Sequence, residues 1–256
     1  MDLSDVCSIA IDETSFRRGH RYATVAIDAG KHRVFDVEPG RDKAAVKNVG
    51  KKLETQGGNT KHVISVTSDM SASYLPAVRE VFPNAKQTID KFHVKQVLLK
   101  ALDKVRKDEQ NESGRKKELF EHRRLFMVPE GRMTDKQRTR VTDLSKQYKK
   151  TGRAFRIVQS PDDFYASTSM DEAQVRLNKL CSWMRRCRLQ SMKDAALTLR
   201  RHGVEILNFF HTRLTNAICE GINSMIQAAK RKARGFHTFE GYATMIYLVA
   251  GKLANH

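Results

Sequence analysis

The sequence predicts an α/β protein in which a mixed β-sheet is interrupted by an all-α insertion. Three observations lead there. Strand-like and helix-like patterns alternate over residues 1–90, strand signal then almost disappears from residue 91 to about 215, and an apolar stripe at helical spacing follows. With 256 residues, 40% of them hydrophobic, the chain can bury the core of one large domain carrying a sizeable insertion.

Element by element, CSIAIDE is a short apolar run and reads as the first strand. YATVAID is a second and HRVFDVE alternates as a third. Gly30 lies in the turn between these two, so the three strands are expected to form a meander. Residues 42–55, DKAAVKNVGKKLET, have helical periodicity and end at the breaker QGGNT. HVISVTS is the fourth strand and runs into Asp69. SYLPAVREVF is a second helix with Pro76 in its first turn, where the N–H that proline lacks would have no partner anyway. Pro83 and Asn84 end it, and KQTID is a short fifth strand. The order β-β-β-α-β-α-β combines an antiparallel meander with parallel crossovers.

FHVKQVLLKALDKV opens the insertion as a strong amphipathic helix. Residues 115–126, 134–150 and 171–187 and MKDAALTLRRHGVEILNFF follow as further helices, with Gly152 and SPDDF as breaks. Between Lys91 and Ser160 there are 20 Lys or Arg against 9 Asp or Glu, so the insertion is expected to have a basic surface. The whole chain carries 47 Lys or Arg against 29 Asp or Glu, a net charge of +18. Such a balance favours a polyanionic partner, nucleic acid first, over an anionic membrane. No apolar run is long enough to span a bilayer and no signal-peptide pattern opens the chain, so a cytoplasmic location is expected. The cysteines, Cys7, Cys181, Cys187 and Cys219, form no CxxC pair, as expected in a reducing compartment without structural zinc. The expected division is a sheet-bearing core over 1–90, the helical basic insertion over 91–215, and C-terminal helices over 216–256 that complete the core.

In the final helix Ile218, Ile222, Met225, Ile226 and Ala229 make one apolar stripe. Glu220 lies off it, with Asn223 and Gln227 on its own face, and the helix runs into Lys230, Arg231, Lys232 and Arg234 before Gly235. Two further acids end strands: Asp12 the first and Asp69 the fourth. Strand ends are where sites form in such sheets. Asp12 and Glu13 point to opposite faces, so only one of them can join a given site. Phosphodiester cleavage needs an activated water and a stabilised leaving oxygen, which two Mg²⁺ about 3.5–4 Å apart can supply. Mg²⁺ takes oxygen ligands, so Asp and Glu suit it.

At these residues the sequence resembles a known family. IAIDETSFRRGHRYATVAID, VTSDMSASYLPAVREVFPNAKQTIDKFHV and RLTNAICEGINSMIQAAKRKARGF, in that order and over nearly the whole chain, are similar to the catalytic core of ISL-three insertion-sequence transposases. The resemblance implies a ribonuclease-H-like fold, a DDE catalytic triad of Asp12, Asp69 and Glu220 holding Mg²⁺ (or Mn²⁺), a helical insertion before the last acid, and a homodimer that pairs two transposon ends. It implies cleavage by water that frees a 3′-hydroxyl, then attack of that hydroxyl on target DNA. It also implies a Cys-rich zinc-binding segment and a helix-turn-helix ahead of the core. Here only eleven residues precede Asp12, so the end-binding module is expected to be missing and the chain to be a fragment or truncated copy.

Plainer readings stand beside these. Asp12 could be a turn acid, Asp69 with Ser71 a helix cap, and Glu220 a solvated helix residue. Asp90 is the rival second acid because TID also ends a strand; with His93 in DKFH it either supports the site or caps the next helix. Trp183, the only tryptophan, reads as a partly buried helix residue before it reads as a base-stacking platform. Lys230, Arg231, Lys232 and Arg234 are expected to contact DNA phosphates. The alternative functions are a non-catalytic, DNA-binding transposase remnant and a general nuclease.

Overall fold

The computed structural model describes residues 1–17, 21–70, 74–112, 116–160, 164–212 and 217–252. They fall into two compact units: Met1–Asp90 with His211–His256, and Lys91–Phe210.

The first unit is built on a five-stranded sheet in the order β3-β2-β1-β4-β5. Its strands are β1 (Ser8–Arg17), β2 (Arg21–Asp28), β3 (Arg33–Pro39), β4 (Ser65–Ser68) and β5 (Lys86–Ile89). β1, β2 and β3 pair antiparallel, whereas β4 joins β1 and β5 joins β4 in parallel. The turn between β2 and β3 is fixed by Asp28, whose Oδ1 accepts the backbone N–H groups of Gly30 and Lys31. Helices α1 (Lys43–Thr55) and α2 (Tyr74–Val81) provide the crossovers. Asp42 starts α1 by accepting the N–H of Ala45.

The sheet is covered on both faces, which is why its central strand is apolar at successive positions. Ile9 and Ile11 of β1 and Val66 of β4 pack with Val46, Val49 and Leu53 of α1 and Tyr74, Ala77 and Val78 of α2. Ala10 of β1 and Val25 and Ile27 of β2 pack with two C-terminal helices, Ala217–Lys232 and Phe239–Ala250. These contribute Cys219, Ile222 and Ile226, and Tyr242, Ile246 and Ala250. Each large apolar side chain so buried contributes about 1.5–3 kcal/mol.

The second unit has no strand among its described residues; its α-helices are α3 (Lys91–Glu112), α4 (Lys116–Glu121), α5 (Asp135–Gln147), α6 (Lys149–Gln159), α7 (Met170–Arg186), α8 (Gln190–Arg201) and α9 (Gly203–Leu207). A short α10 (Phe209–Thr212) precedes the two C-terminal helices, α11 (Ala217–Lys232) and α12 (Phe239–Ala250). No helix among the described residues is long and apolar enough to cross a membrane. All four cysteines are free thiols.

Three local expectations are corrected. The fourth strand is shorter than HVISVTS, because Thr60–His62 forms a 3₁₀ turn and only Ser65–Ser68 pair. The helix expected over 134–150 breaks at Tyr148, and Gly152, expected as a breaker, lies inside α6. The reason is tertiary. Glu109 of α3 accepts the N–H groups of Lys150 and Thr151, capping α6 there, and Gly152 lets α6 press against Ser145 of α5. Met225, placed on the apolar stripe, is exposed, so the buried seam of α11 is narrower than its sequence. The expected break at SPDDF and the cap by Ser71 fall largely or wholly outside the described residues.

Candidate active site

The strand register sets the acids of the sheet in one row. Ala10 pairs with Thr67 across β1 and β4, so Asp12 and Asp69, each two residues further on, stand level. Ser68 pairs with Ile89 across β4 and β5, so Asp69 and Asp90 stand level in turn. Asp69 and Asp90 directly follow the carboxyl ends of β4 and β5, the edge where α/β sheets build sites, whereas Asp12, expected to end the first strand, lies within β1, which runs on to Arg17 beyond its pairing with β4. Side chains alternate along a strand, and Ala10 faces α11 whereas Ile11 faces α1 and α2. Asp12 therefore belongs to the α11 face. Glu13 belongs to the other, where it meets Arg41 at 3.4 Å.

Helix α11 is tied to β1 by a ladder of polar contacts. Asn223 Nδ2 donates to Asp12 Oδ2 at 2.8 Å. Gln227 Nε2 donates to Thr14 Oγ1 at 2.8 Å. Lys230 Nζ donates to the Ser15 carbonyl at 2.5 Å. From the first rung to the second, four helical residues rise about 6 Å and two strand residues about 6.7 Å, so the two stay in step. Asp12 Oδ1 accepts the N–H of Glu13, so both carboxylate oxygens are held. Glu220 is exposed in the first described turn of α11, one turn before Asn223 and on the same face. An acid there is favoured by the helix dipole.

Two buried neighbours register the charge gathered here. The Cys219 thiol is pushed well up, by burial first and then by the fields of Asp12, Asp90 and Glu220. The Tyr74 phenol is pushed up by burial, partly offset by its contact with Thr24, and further raised by Asp69, Glu13 and Asp12. Both therefore stay protonated at neutral pH. Among the described residues no group of three or more His, Cys, Asp or Glu side chains is drawn close enough to hold a metal ion. The donor set of Asp12, Asp69 and Glu220 is nonetheless all carboxylate oxygen, which suits a hard divalent cation such as Mg²⁺. Ligation through Asp12 Oδ2 would have to displace the Asn223 amide.

Asp90 is buried and directly precedes α3, while His93 belongs to the second unit. Trp183 lies on α7 with 40% of its surface accessible. Of the four basic residues after Glu220, Arg231, Lys232 and Arg234 are exposed, whereas Lys230 is engaged by Ser15. Lys230, Arg231 and Arg234 line a cavity of about 800 Å³ together with Arg17 and His237. Sequence pattern alone does not mark Arg17. It donates to the carbonyls of Phe236 and His237 and so fixes the loop after α11. Its only signal is the run of arginines that ends β1, which sequence does not connect to a loop 219 residues away.

A family-wide sequence pattern described as Transposase matches residues 9–246. The transposase for insertion sequence element IS1557 of Mycobacterium tuberculosis is 26% identical over 275 aligned residues, covering 97% of this chain. The transposase for insertion sequence element IS1001 of Bordetella parapertussis is 23% identical over 244, covering 93%. The chain spans about 60% of the length of each of these relatives. With the family pattern running through nearly all of it, this chain belongs to the ISL-three family of insertion-sequence transposases.

Proposed function

We propose that the chain is the catalytic core of a DNA transposase that cuts DNA at insertion-sequence ends and joins the freed end to target DNA. On this reading the sheet and its flanking helices are a ribonuclease-H-like core, and Asp12, Asp69 and Glu220 are its catalytic acids. The observation that carries the reading is the delivery of α11, with Glu220 one turn before Asn223, onto the strand bearing Asp12, which is itself level with Asp69.

Asp12, Asp69 and Glu220 would hold Mg²⁺, or Mn²⁺ in its place. When bound, such cations lower the pKa of water and stabilise the leaving oxygen of an in-line displacement. The chain's own residues prepare for this. Glu13 N–H and Asn223 orient the Asp12 carboxylate, and Gln227 on Thr14 keeps α11 aligned with β1. Attack by water on the phosphodiester breaks the P–O3′ bond and frees a 3′-hydroxyl. That hydroxyl then attacks a target phosphodiester, forming a new P–O bond as the target's own P–O3′ bond breaks and leaves a target 3′-hydroxyl, and no covalent enzyme intermediate is required. Arg231, Lys232 and Arg234 would contact the DNA backbone. Lys230 would contribute to the same field while braced against Ser15. Two ends held together call for two copies, so a homodimer is the proposed working form.

The test is Mg²⁺-dependent cleavage of pre-nicked DNA that mimics an element end. Asp12→Asn, Asp69→Asn and Glu220→Gln should each abolish cleavage while leaving DNA affinity in EDTA unchanged or slightly raised. Loss of cleavage with Asp90→Asn but not with Asp69→Asn would reassign the second acid. A wild-type chain that binds DNA but never cuts it would be a DNA-binding remnant.

A further inference from the structure

We infer that the helical unit carries a second DNA-backbone site, a cationic cleft between α5 and α6 that is separate from the catalytic acids. The cleft encloses about 580 Å³. Its floor includes the buried side chains of Met133, Val141 and Phe155. Its walls carry Arg138 and Lys146 from α5 and Lys149, Arg153 and Arg156 from α6. The three α6 residues recur at i, i+4 and i+7, so they form one stripe.

The usual explanation of such a stripe is a solvated face, and on such faces acids normally alternate with bases at the same spacing. That pattern fails here. Helix α6, KKTGRAFRIVQ, contains no acid. Arg138 pairs with Asp135 and Lys146 lies 3.6 Å from Asp143, so the α5 wall is partly neutralised. Among the described residues neither Lys149 nor Arg156 has an ion-pair partner, and Arg153 spends one donor on the neutral carbonyl of Cys187. Glu130 is the only acid among the described residues that line the cleft. The cations are held on rigid elements, because Gly152 seats α6 directly on Ser145.

Charge complementarity selects a polyanion. From Lys149 to Arg156 the stripe rises about 10.5 Å, which matches roughly three phosphate-to-phosphate steps of one strand at 3.4 Å of duplex axis each. The occupant is therefore the backbone of duplex DNA, read without regard to sequence. This goes beyond the catalytic reading and rests on it only in taking DNA as the partner.

The experiment uses the full chain and a duplex of arbitrary sequence in EDTA, with affinity measured by fluorescence anisotropy at several salt concentrations. Lys149→Gln with Arg156→Gln should weaken binding equally for all sequences. It should flatten the plot of log affinity against log salt by roughly 1.8, about 0.9 for each phosphate that is no longer neutralised. Lys117→Gln with Lys136→Gln, two exposed cations outside the cleft, should leave the slope nearly unchanged. Equal slopes for the two double variants, or no duplex binding by wild type, would overturn the proposal. Should the cleft variant fold poorly, acylation of lysine amines on wild type, mapped by mass spectrometry, replaces it. Bound duplex should shield Lys149 and spare Lys117, and equal labelling of Lys149 with and without DNA rejects the site. The two readings fail separately. Cleavage with an unaltered slope in the cleft variant rejects the cleft, whereas a flattened slope without any Mg²⁺-dependent cleavage rejects the catalytic assignment.

Discussion

Asn223 donates a 2.8 Å hydrogen bond to Oδ2 of Asp12, joining residues 211 apart in the chain. The contact couples the strand that carries one acid of the candidate site to the helix that carries another, Glu220. It also occupies the carboxylate oxygen that a cation would claim. One amide therefore holds the helix in place and sets the resting orientation of Asp12.

Removing that amide should be felt in stability. Asn223→Ala removes the amide donor from Asp12 Oδ2, and the loss of that hydrogen bond to a half-buried carboxylate should cost roughly 1–2 kcal/mol. Gln227→Ala, one rung along, should cost about 1 kcal/mol by leaving Thr14 to Tyr242 alone. Urea denaturation without divalent cations measures both. Two variants as stable as wild type would mean that the apolar seam of Cys219, Ile222 and Ile226 holds α11 by itself.

On the proposed reading Mg²⁺ should stabilise the folded chain, since it would bind the assembled acids and not the dispersed ones. The gain follows RT ln(1 + [Mg²⁺]/Kd), about 2.7 kcal/mol at a hundredfold excess over Kd. Asp12→Asn should shrink the thermal shift. Asn223→Ala should enlarge it relative to its own metal-free melt, because the cation no longer has to displace the amide. A wild-type Tm that ignores millimolar Mg²⁺, together with Asp12→Asn melting lower, would show that no metal site forms without DNA.

The parts of this fold legible in the sequence were those set by local pattern. The meander, the two crossovers and the change to helices after Asp90 follow from alternation, helical spacing and breakers, and the strands and helices occur in that order. The same periodicity placed Asn223 and Gln227 on the face of Glu220. It could not supply their partners, Asp12 and Thr14, because those depend on how α11 lies along β1. The level row of Asp12, Asp69 and Asp90 likewise comes from inter-strand register, which no single segment encodes. Gly152 misled for a similar reason. Its lack of a side chain serves a helix–helix contact, while the break it was expected to make falls at Tyr148, where Glu109 caps α6.

That contact makes Gly152→Ala a direct test. Alanine favours helix over glycine by about 1 kcal/mol. An added Cβ would nevertheless meet Ser145 Cβ at 2.6 Å and the Ser145 carbonyl oxygen at 2.7 Å. Backbone cannot yield as a side-chain tip can, so overpacking should win and the net cost should be roughly 1–3 kcal/mol. Equilibrium unfolding of the variant should show a lower midpoint with an unchanged m-value. A stabilised variant would mean that α5 and α6 separate freely.

Asp36 gives the first unit an acid-side stability gradient. It is buried on β3, with Tyr247 donating to its Oδ1 at 3.3 Å. Burial raises its carboxyl from 3.8 to about 6, aided by the charge of Glu38 and opposed by the Tyr247 contact and the Val37 N–H. The folded state therefore holds this proton more tightly than the unfolded chain. Its contribution is fully present below about pH 4 and is lost as pH rises through about 6, since over that interval the folded state binds more protons. The displacement corresponds to roughly 3 kcal/mol at most, so ionised Asp36 should be a standing cost at neutral pH. Asp36→Asn keeps the shape and a carbonyl oxygen for Tyr247 but cannot ionise. At pH 7 the variant should melt higher than wild type, and the difference should disappear or reverse near pH 4. Paired thermal melts at pH 4, 5, 6 and 7 measure the gap. A gap that stays constant across these pH values, or a variant that melts lower at pH 7, would show that Asp36 is ionised and adequately stabilised in the fold.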